Sequence, residues 1–169
     1  LGRGTPMNHA LAAVWYRKAA MCGLDWGMYN HANLLRKGLG VKADRARALV
    51  LYRRAADLGH AKSMNLIGRY HDEGWGIPRD AVAAAGWYRK SAQGGDFRGQ
   101  TSHASILAQR GHLDAAVAWL QRAAETATPA FLERLAADLM QSPHEQLRRV
   151  GETLCGEVDQ FPHRSAPVA

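Results

Sequence analysis

Apolar residues recur along the chain at an interval of 36 residues, as from Trp15 to Leu51 and from Leu51 to Trp87. Within one interval, the spacing i, i+3, i+4 and i+7 places small and apolar side chains on one face of a helix. That face comprises Ala48, Leu51, Tyr52, Ala55 and Gly59. In each of these three copies a tyrosine follows the tryptophan or leucine directly, as Tyr16, Tyr52 and Tyr88. We therefore predict stacked helical units whose core is built from these columns.

Helix boundaries recur at the same interval. Asn8, Asp44 and Asp80 precede helices, and their side-chain oxygens can accept hydrogen bonds from the free N–H groups of a first turn. We therefore predict that these three residues are N-caps. A Gly-x-Gly loop stands before each cap, at residues 2–4, 38–40 and 74–76. Glycines also close the helices, where we expect them to adopt the left-handed conformation: Gly23, Gly59 and Gly95.

Another helix follows each of these closing glycines. We call it the first helix of a hairpin, and the helix after a Gly-x-Gly loop the second helix. A small column at Ala32, Gly68 and Ala104 lets two first-helix backbones approach their neighbours closely. His31 and His103 share a column with an isoleucine, so we interpret them as packed or half-buried side chains. One hairpin cannot bury its apolar stripe alone, so neighbouring hairpins must stack into a solenoid.

Three runs carry a more specific signature: Trp15-Tyr16-Arg17-Lys18-Ala19-Ala20, Leu51-Tyr52-Arg53-Arg54-Ala55-Ala56 and Trp87-Tyr88-Arg89-Lys90-Ser91-Ala92. Together with the Gly-x-Gly loops, they resemble the Sel1-like repeat, a relative of the tetratricopeptide repeat, over roughly residues 1–125. The resemblance implies an all-α, right-handed superhelical solenoid of antiparallel helical hairpins. Its first helices would line a concave face and its second helices a convex face. It also implies a non-catalytic adaptor rather than an enzyme.

Three regions follow from the pattern. Residues 1–125 are predicted to hold the repeats, of which the last is shortened at 110–114 and lacks the double glycine. Residues 126–158 are predicted to form capping helices, because apolar side chains at helical spacing flank Ser142-Pro143 and a solenoid needs an end piece. Residues 159–169 carry no pattern, and we expect them to be disordered. The chain opens inside a repeat loop, so we expect further residues upstream, including a hairpin partner for the first predicted helix.

A recognition surface need not repeat from unit to unit, whereas core columns must. The resemblance places variable first-helix positions on the concave face, and we predict that these residues bind the partner: Trp26, Tyr29, Asn33, Arg36, Lys62, Asn65, Arg69, Arg98, Thr101 and Ser105. This set is chemically mixed, and all of its charged members are basic. Trp, Tyr and Arg dominate the energetics of many interfaces. Packing between hairpins is the alternative role for Trp26 and Tyr29.

Positive charge is concentrated on the repeats. The chain has 22 Lys and Arg against 15 Asp and Glu, a net charge of +7. Two basic ladders run along the second helices, and we interpret them mainly as a solvated convex face. The alternative interpretation is that these two ladders bind an acidic partner. The basic ladders are Arg17/Arg53/Arg89 and Lys18/Arg54/Lys90/Arg122.

Motifs for catalysis or cofactor binding are incomplete. His144-Glu145 begins like a zinc-protease helix, but Arg148 stands where the second histidine should be. His71-Asp72-Glu73 lacks a second ligand set at a standard spacing. The Gly-x-Gly loops recur in every full unit without a preceding strand, so they are architectural rather than phosphate loops. We therefore predict no catalytic residue, no metal and no cofactor.

The function predicted from the sequence is a bacterial scaffold or adaptor that binds another protein or peptide. A toxin-neutralising immunity or inhibitor protein remains an alternative. An RNA-binding helical repeat is a weaker one, because its usual unit lacks the Gly-x-Gly loop. No apolar run is long enough for a membrane span. Cys22 and Cys155 are far apart in sequence and do not favour a disulfide, which leaves the compartment open between cytoplasm and periplasm.

Overall fold

The computed structural model describes residues 8–160, with side chains through residue 156. Every regular element in this part of the chain is an α-helix: α1 (His9–Met21), α2 (Asp25–Lys37), α3 (Arg45–Asp57), α4 (Ala61–Glu73), α5 (Ala81–Gln93), α6 (Phe97–Gln109), α7 (Leu113–Thr126), α8 (Pro129–Met140) and α9 (Glu145–Gln160). The predicted all-α class is confirmed. In the terms used above, α2, α4 and α6 are first helices, and α1, α3, α5 and α7 are second helices.

The chain divides into two compact units, Leu1–Gly94 and Gly95–Ala169. In the first unit each helix packs against the next one along the chain, from α1 to α5. In the second unit α6 packs on α7 and α8 packs on α9, which also contacts α7. Consecutive helices joined by short turns are the hairpins that the repeat predicts.

The predicted N-caps are confirmed. An oxygen of Asn8 accepts a hydrogen bond from the backbone N–H of Leu11 at 2.9 Å. Asp44 accepts from the N–H of Arg47 at 2.8 Å, and Asp80 accepts from the N–H groups of the first turn of α5 at 3.0 and 2.9 Å. Each bond satisfies a donor that a helix leaves free at its start. The three closing glycines have φ values of 83°, 88° and 83°, as predicted for left-handed C-terminal residues.

Two glycines mark places where backbone packs too closely for a side chain. A Cβ at Gly40 would lie 2.3 Å from the carbonyl carbon of His9, so the loop before α3 packs directly on α1. A Cβ at Gly68 would lie 2.6 Å from the ring of Tyr88. Gly68 therefore lets α4 approach α5, which is the role predicted for the small column.

The core of the first unit follows the repeat columns, with exceptions at Gly59, Trp15, Tyr16 and Trp87. Residues Ala48, Leu51, Tyr52 and Ala55 are buried as predicted. Gly59 is exposed, because it closes α3 instead of facing the core. Trp15 is 59% exposed and Trp87 is half-buried, although both stand in register with the buried Leu51. The repeat therefore sets which face of a helix turns inward, and the neighbouring helices set how deeply each copy is buried.

The second unit has a separate core. It contains Leu120 of α7, Leu135 of α8, and Leu147 and Leu154 of α9. Helices α8 and α9 occupy the region predicted to be capping helices, and α9 continues to Gln160, two residues past the predicted boundary. Most of the predicted tail, residues 161–169, lies outside the described residues, as does the first Gly-x-Gly loop.

Both histidines assigned to packing are in the positions predicted for them. His31 is buried at 4% exposure and His103 is half-buried, with its ring centroid 5.5 Å from that of Trp119. Burial lowers the pKa of His31, and the charges of Arg47 and Arg17 lower it further. The imidazole of His31 is therefore neutral in the folded protein at neutral pH.

Candidate protein-binding surface

The predicted binding residues are distributed over three first helices. Helix α2 carries Trp26, Tyr29, Asn33 and Arg36, one to each turn, and α4 carries Lys62, Asn65 and Arg69. These seven residues belong to the first unit. The remaining three, Arg98, Thr101 and Ser105, lie on α6 in the second unit. Spacings of three and four residues keep each set along one helix face.

Trp26 is the most prominent apolar side chain of this set. It is 52% exposed, yet its ring contacts Tyr29 at a centroid distance of 5.9 Å and His60 at 4.9 Å, both edge to face. The Lys62 Nζ lies 4.8 Å from the centroid of the Trp26 ring. A large aromatic surface is thus available to solvent while its orientation is restrained by neighbouring rings and a cation.

An aromatic ladder connects this tryptophan to a second one in the first unit. We define the aromatic ladder as Trp26, Tyr29, Tyr52, Tyr70 and Trp75. Successive ring centroids along it are 5.9, 6.1, 6.0 and 5.5 Å apart. Tyr52 and Tyr70 in its middle are fully buried, whereas the tryptophans at its ends reach the surface. A continuous series of ring contacts therefore runs through the core between these two tryptophans.

Three arginines surround the ring of Trp75. The Cζ atoms of Arg69, Arg36 and Arg45 lie 4.8, 5.4 and 6.0 Å from its centroid. We call these four residues the Trp75 cluster. They come from four separate parts of the first unit: Arg36 from the last turn of α2, Arg45 from the start of α3, Arg69 from α4, and Trp75 from the loop after α4.

Two tyrosine hydroxyls lie beside this cluster and have acceptors within the protein. The Tyr52 hydroxyl donates to Oδ1 of Asn33 at 2.8 Å, and the Tyr70 hydroxyl donates to the backbone carbonyl of Arg45 at 3.1 Å. Burial raises the pKa of both tyrosines, and the charge of Arg36 offsets only part of that shift. Both phenols are therefore neutral donors at physiological pH, and the positive charge of the arginines is not cancelled by phenolate.

Some predicted binding residues have little surface to offer. Asn65 is buried at 4% exposure. Thr101 is half-buried, and its hydroxyl donates to the backbone carbonyl of Phe97 at 2.9 Å. In the same unit Arg98 and Ser105 are exposed, with Arg98 Cζ lying 4.3 Å from the ring centroid of Phe97. The largest coherent set of accessible predicted residues is therefore the one on α2 and α4.

The basic ladders on the second helices have a simpler organisation. Arg53, Arg54, Arg89 and Lys90 are all exposed. Three cations of the second ladder lie over a tryptophan three residues earlier in the same helix, at 4.8, 4.5 and 5.0 Å from the ring centroid: Lys18 over Trp15, Lys90 over Trp87, and Arg122 over Trp119. The i, i+3 spacing of a helix produces such pairs locally.

Among the described residues there is no metal-binding cluster, no membrane-spanning helix and no disulfide. No group of three or more His, Cys, Asp or Glu side chains there is placed to hold a metal ion. Among helices α1 to α9, none has the length and apolar character needed to cross a bilayer. Cys22 and Cys155 are both exposed free thiols.

The sequence pattern missed several residues of this surface. Trp75 and Arg45 lie outside the first helices, and His60 sits at the cap before α4. Trp75 nevertheless carried a signal, because the middle residue of the Gly-x-Gly loop is arginine in the first copy, leucine in the second and tryptophan in the third. A tryptophan at a variable loop position is unusual enough to suggest recognition.

The family model of the Sel1 repeat matches residues 1–24, 27–60, 61–96 and 113–125. The chain belongs to the Sel1 repeat family. Repeats of this family commonly form helical solenoids that act as protein-interaction scaffolds. The search of curated proteins found no match to the chain.

Solved bacterial structures share the fold. One is c5321, a protective antigen present in uropathogenic Escherichia coli strains and displaying an SLR fold, with a TM-score of 0.74 and 25% identity. The match covers 93% of this chain but only 35% of that protein, so this chain spans about a third of its length. A Sel1 repeat protein from Oxalobacter formigenes has a TM-score of 0.72 and 24% identity, covering 91% of this chain and 67% of that one.

A third structure is more distant. Immunity protein Pa5087 from Pseudomonas aeruginosa matches with a TM-score of 0.48 and 16% identity, covering 97% of this chain and 83% of that one. At these values the likeness carries no argument about function.

Proposed function

We propose that this Sel1 repeat protein is a non-catalytic interaction module that binds a partner protein or peptide through the first helices of its first unit. The observation that carries the proposal is the placement of Trp26 and Trp75 at the two ends of the aromatic ladder, each beside cations that form no salt bridge among the described residues. We call the exposed parts of α2 and α4, together with Trp75, the first-helix surface.

The composition of the first-helix surface suits recognition. Tryptophan, tyrosine and arginine supply most of the binding energy in many interfaces, because they combine large contact area with directional polar groups. Lys62 lies beside one tryptophan and three arginines beside the other. A partner that presents both apolar and acidic groups would therefore find complementary chemistry along the whole surface.

Restraint of the side chains before binding also favours this surface. Two edge-to-face contacts hold Trp26, and Asn33 accepts a hydrogen bond from the buried Tyr52. Side chains that are already ordered lose less conformational entropy when a partner arrives, which leaves more of the contact energy as affinity.

The matched tryptophans Trp26 and Trp15 allow a direct test. Both are exposed, at 52% and 59%, and each has a lysine Nζ 4.8 Å from its ring centroid. Trp26 lies on a first helix and Trp15 on a second helix. Peptides selected from a random displayed library would be measured by calorimetry against the wild type, Trp26→Ala and Trp15→Ala.

We expect Trp26→Ala to weaken the selected peptides by about 2 kcal/mol, the usual size of a hot-spot loss. Trp15→Ala should leave their affinity within about twofold, which corresponds to under 0.5 kcal/mol. An equal or larger loss from Trp15→Ala would move the binding site to the second helices and overturn the proposal.

A further inference from the structure

The Trp75 cluster differs from every other cation–aromatic contact described above for this chain. The tryptophans of the second helices each meet a single cation from their own helix, three residues away. Trp75 instead meets Arg36, Arg45 and Arg69, which belong to three different helices. Helical periodicity explains the first type of contact. It does not explain the convergence of three guanidinium groups on one loop residue.

The three arginines of the cluster form no salt bridge among the described residues. The Nε of Arg36 is buried and donates no hydrogen bond. Like charges brought this close repel one another, since each Cζ lies within 6.0 Å of the same ring centroid. An anion placed among them would relieve this repulsion.

Several acceptors beside the cluster already accept hydrogen bonds from other donors. The carboxylate of Asp44 accepts from the N–H of Arg47 as the N-cap of α3. Oδ1 of Asn33 and the carbonyl of Arg45 accept from Tyr52 and Tyr70. Around them, Arg45 and Arg69 are exposed, whereas Arg36 is half-buried.

From these observations we propose that the Trp75 cluster is the anchoring subsite for a carboxylate group of an acidic protein segment. The inference rests on the proposed function, and it specifies the chemical group of the partner that the first-helix surface would bind. Guanidinium groups bind a carboxylate through paired N–H donors, and several of them around one point define its position. The Trp75 ring then packs against the methylene groups that join an Asp or Glu carboxylate to its backbone.

The arrangement favours a peptide carboxylate over a nucleic-acid backbone. A phosphate backbone requires a track of cations at regular intervals. Here three cations meet at one position, and Lys62 stands at the far end of the aromatic ladder. Such a layout fits an acidic residue at the Trp75 cluster, with apolar residues of the same segment along the ladder.

Fluorescence anisotropy with a fluorescein-labelled hexaglutamate peptide tests the subsite, using Arg45→Gln/Arg69→Gln as the variant. Both side chains are exposed, so their replacement leaves the core intact. The matched control is Arg53→Gln/Arg54→Gln, which removes the same charge from exposed positions of α3. Hexaglutamine and hexauridylate serve as the uncharged and nucleic-acid probes.

We expect the wild-type protein to bind hexaglutamate in preference to hexaglutamine, with an affinity that falls as salt is raised. The Arg45/Arg69 variant should lose about tenfold in affinity and the Arg53/Arg54 control less than about twofold. Equal losses in both variants would show general charge attraction and overturn the inference. If the protein bound hexauridylate more tightly than hexaglutamate, and the Arg45/Arg69 variant lost that binding, the cluster would be a nucleic-acid site and the inference would be wrong.

Trp26→Ala separates this inference from the proposed function. The affinity of the peptides selected for the proposed function is measured for the Trp26→Ala variant and for the Arg45/Arg69 variant. If Trp26→Ala weakens them and the arginine variant does not, the first-helix surface binds but the carboxylate subsite is wrong. If neither substitution weakens them, both proposals fail. Loss in both supports the subsite as part of a longer recognition surface.

Discussion

The hydroxyl of Tyr52 donates a hydrogen bond of 2.8 Å to the side-chain oxygen of Asn33, linking the fully buried core of α3 to the side of α2 that we propose faces the partner. Tyr52 occupies a constant position of the repeat, with a tyrosine in all three copies that carry the Gly-x-Gly loop. Asn33 belongs to the variable set. One hydrogen bond thus joins a residue that specifies the fold to a residue that we assign to recognition.

Replacement of Tyr52 by phenylalanine should lower the free energy of unfolding by about 1 kcal/mol, because one partly buried hydrogen bond is lost. Urea denaturation followed by circular dichroism measures the change. Tyr16→Phe is the matched control, since Tyr16 occupies the same column but is 37% exposed. The control should change stability by less than about 0.5 kcal/mol. Similar losses in both proteins would remove the special role given to the Tyr52 hydroxyl.

Gly68→Ala should destabilise the protein by about 1–2 kcal/mol, although alanine is the better helix former. The new Cβ would lie 2.6 Å from the ring of Tyr88, which is only 5% exposed and has little room to move. Gly86→Ala provides the contrast, because a Cβ at that helical position meets nothing within 4 Å. It should stabilise by up to about 1 kcal/mol. Thermal and urea unfolding of the two variants should therefore change in opposite directions.

Stability should fall as the solution is acidified below about pH 6.5, in part because of His31. Burial, Arg47 and Arg17 lower its pKa in the folded protein. The unfolded chain then takes up a proton at a higher pH than the folded one does, so acidification favours unfolding. His31→Ile, which copies Ile67 at the equivalent position, should reduce this pH dependence. An unchanged slope of unfolding free energy against pH would show that His31 does not contribute to it.

Charge reversal tests the first-helix surface. Lys62→Glu combined with Arg69→Glu should weaken partner binding by about 3 kcal/mol, because each change replaces attraction with repulsion. Arg54→Glu combined with Lys90→Glu makes the same charge change on second helices, where exposed cations contribute little individually. Calorimetry with selected peptides compares the two, after circular dichroism shows that both variants are folded. A larger loss from the second pair would assign binding to the basic ladders.

The repeat made the architecture predictable from the sequence, since columns such as Ala48 and Tyr52 and caps such as Asp44 and Asp80 recur in step. The depth at which each side chain is buried was harder to predict from the sequence. Trp15 and Leu51 occupy the same column, but one is 59% and the other 9% exposed. A column specifies the direction of a side chain along its helix. How much surface is covered depends on which helices lie beside that copy.

The candidate site was predicted only in part, and for a related reason. Periodicity identifies what the copies share, whereas the Trp75 cluster is made from what they do not share. Arg36, Arg45 and Arg69 are separated by up to 33 positions in sequence, the difference between 69 and 36. Their convergence on Trp75 depends on tertiary packing, which brings the ends of α2, α3 and α4 to one loop.

The Gly-x-Gly loops have a consequence for how such proteins diversify. The φ angles are 71° and 68° around Leu39, and 70° and 76° around Trp75, so the backbone keeps one shape whether the central residue is aliphatic or aromatic. A change of the middle residue of this loop therefore requires little change in the backbone, and evolutionary selection can act on its side chain alone. Both Gly-x-Gly loops that the structure describes therefore carry a variable position next to a first helix, where we expect a single residue change to alter binding specificity while the backbone stays the same.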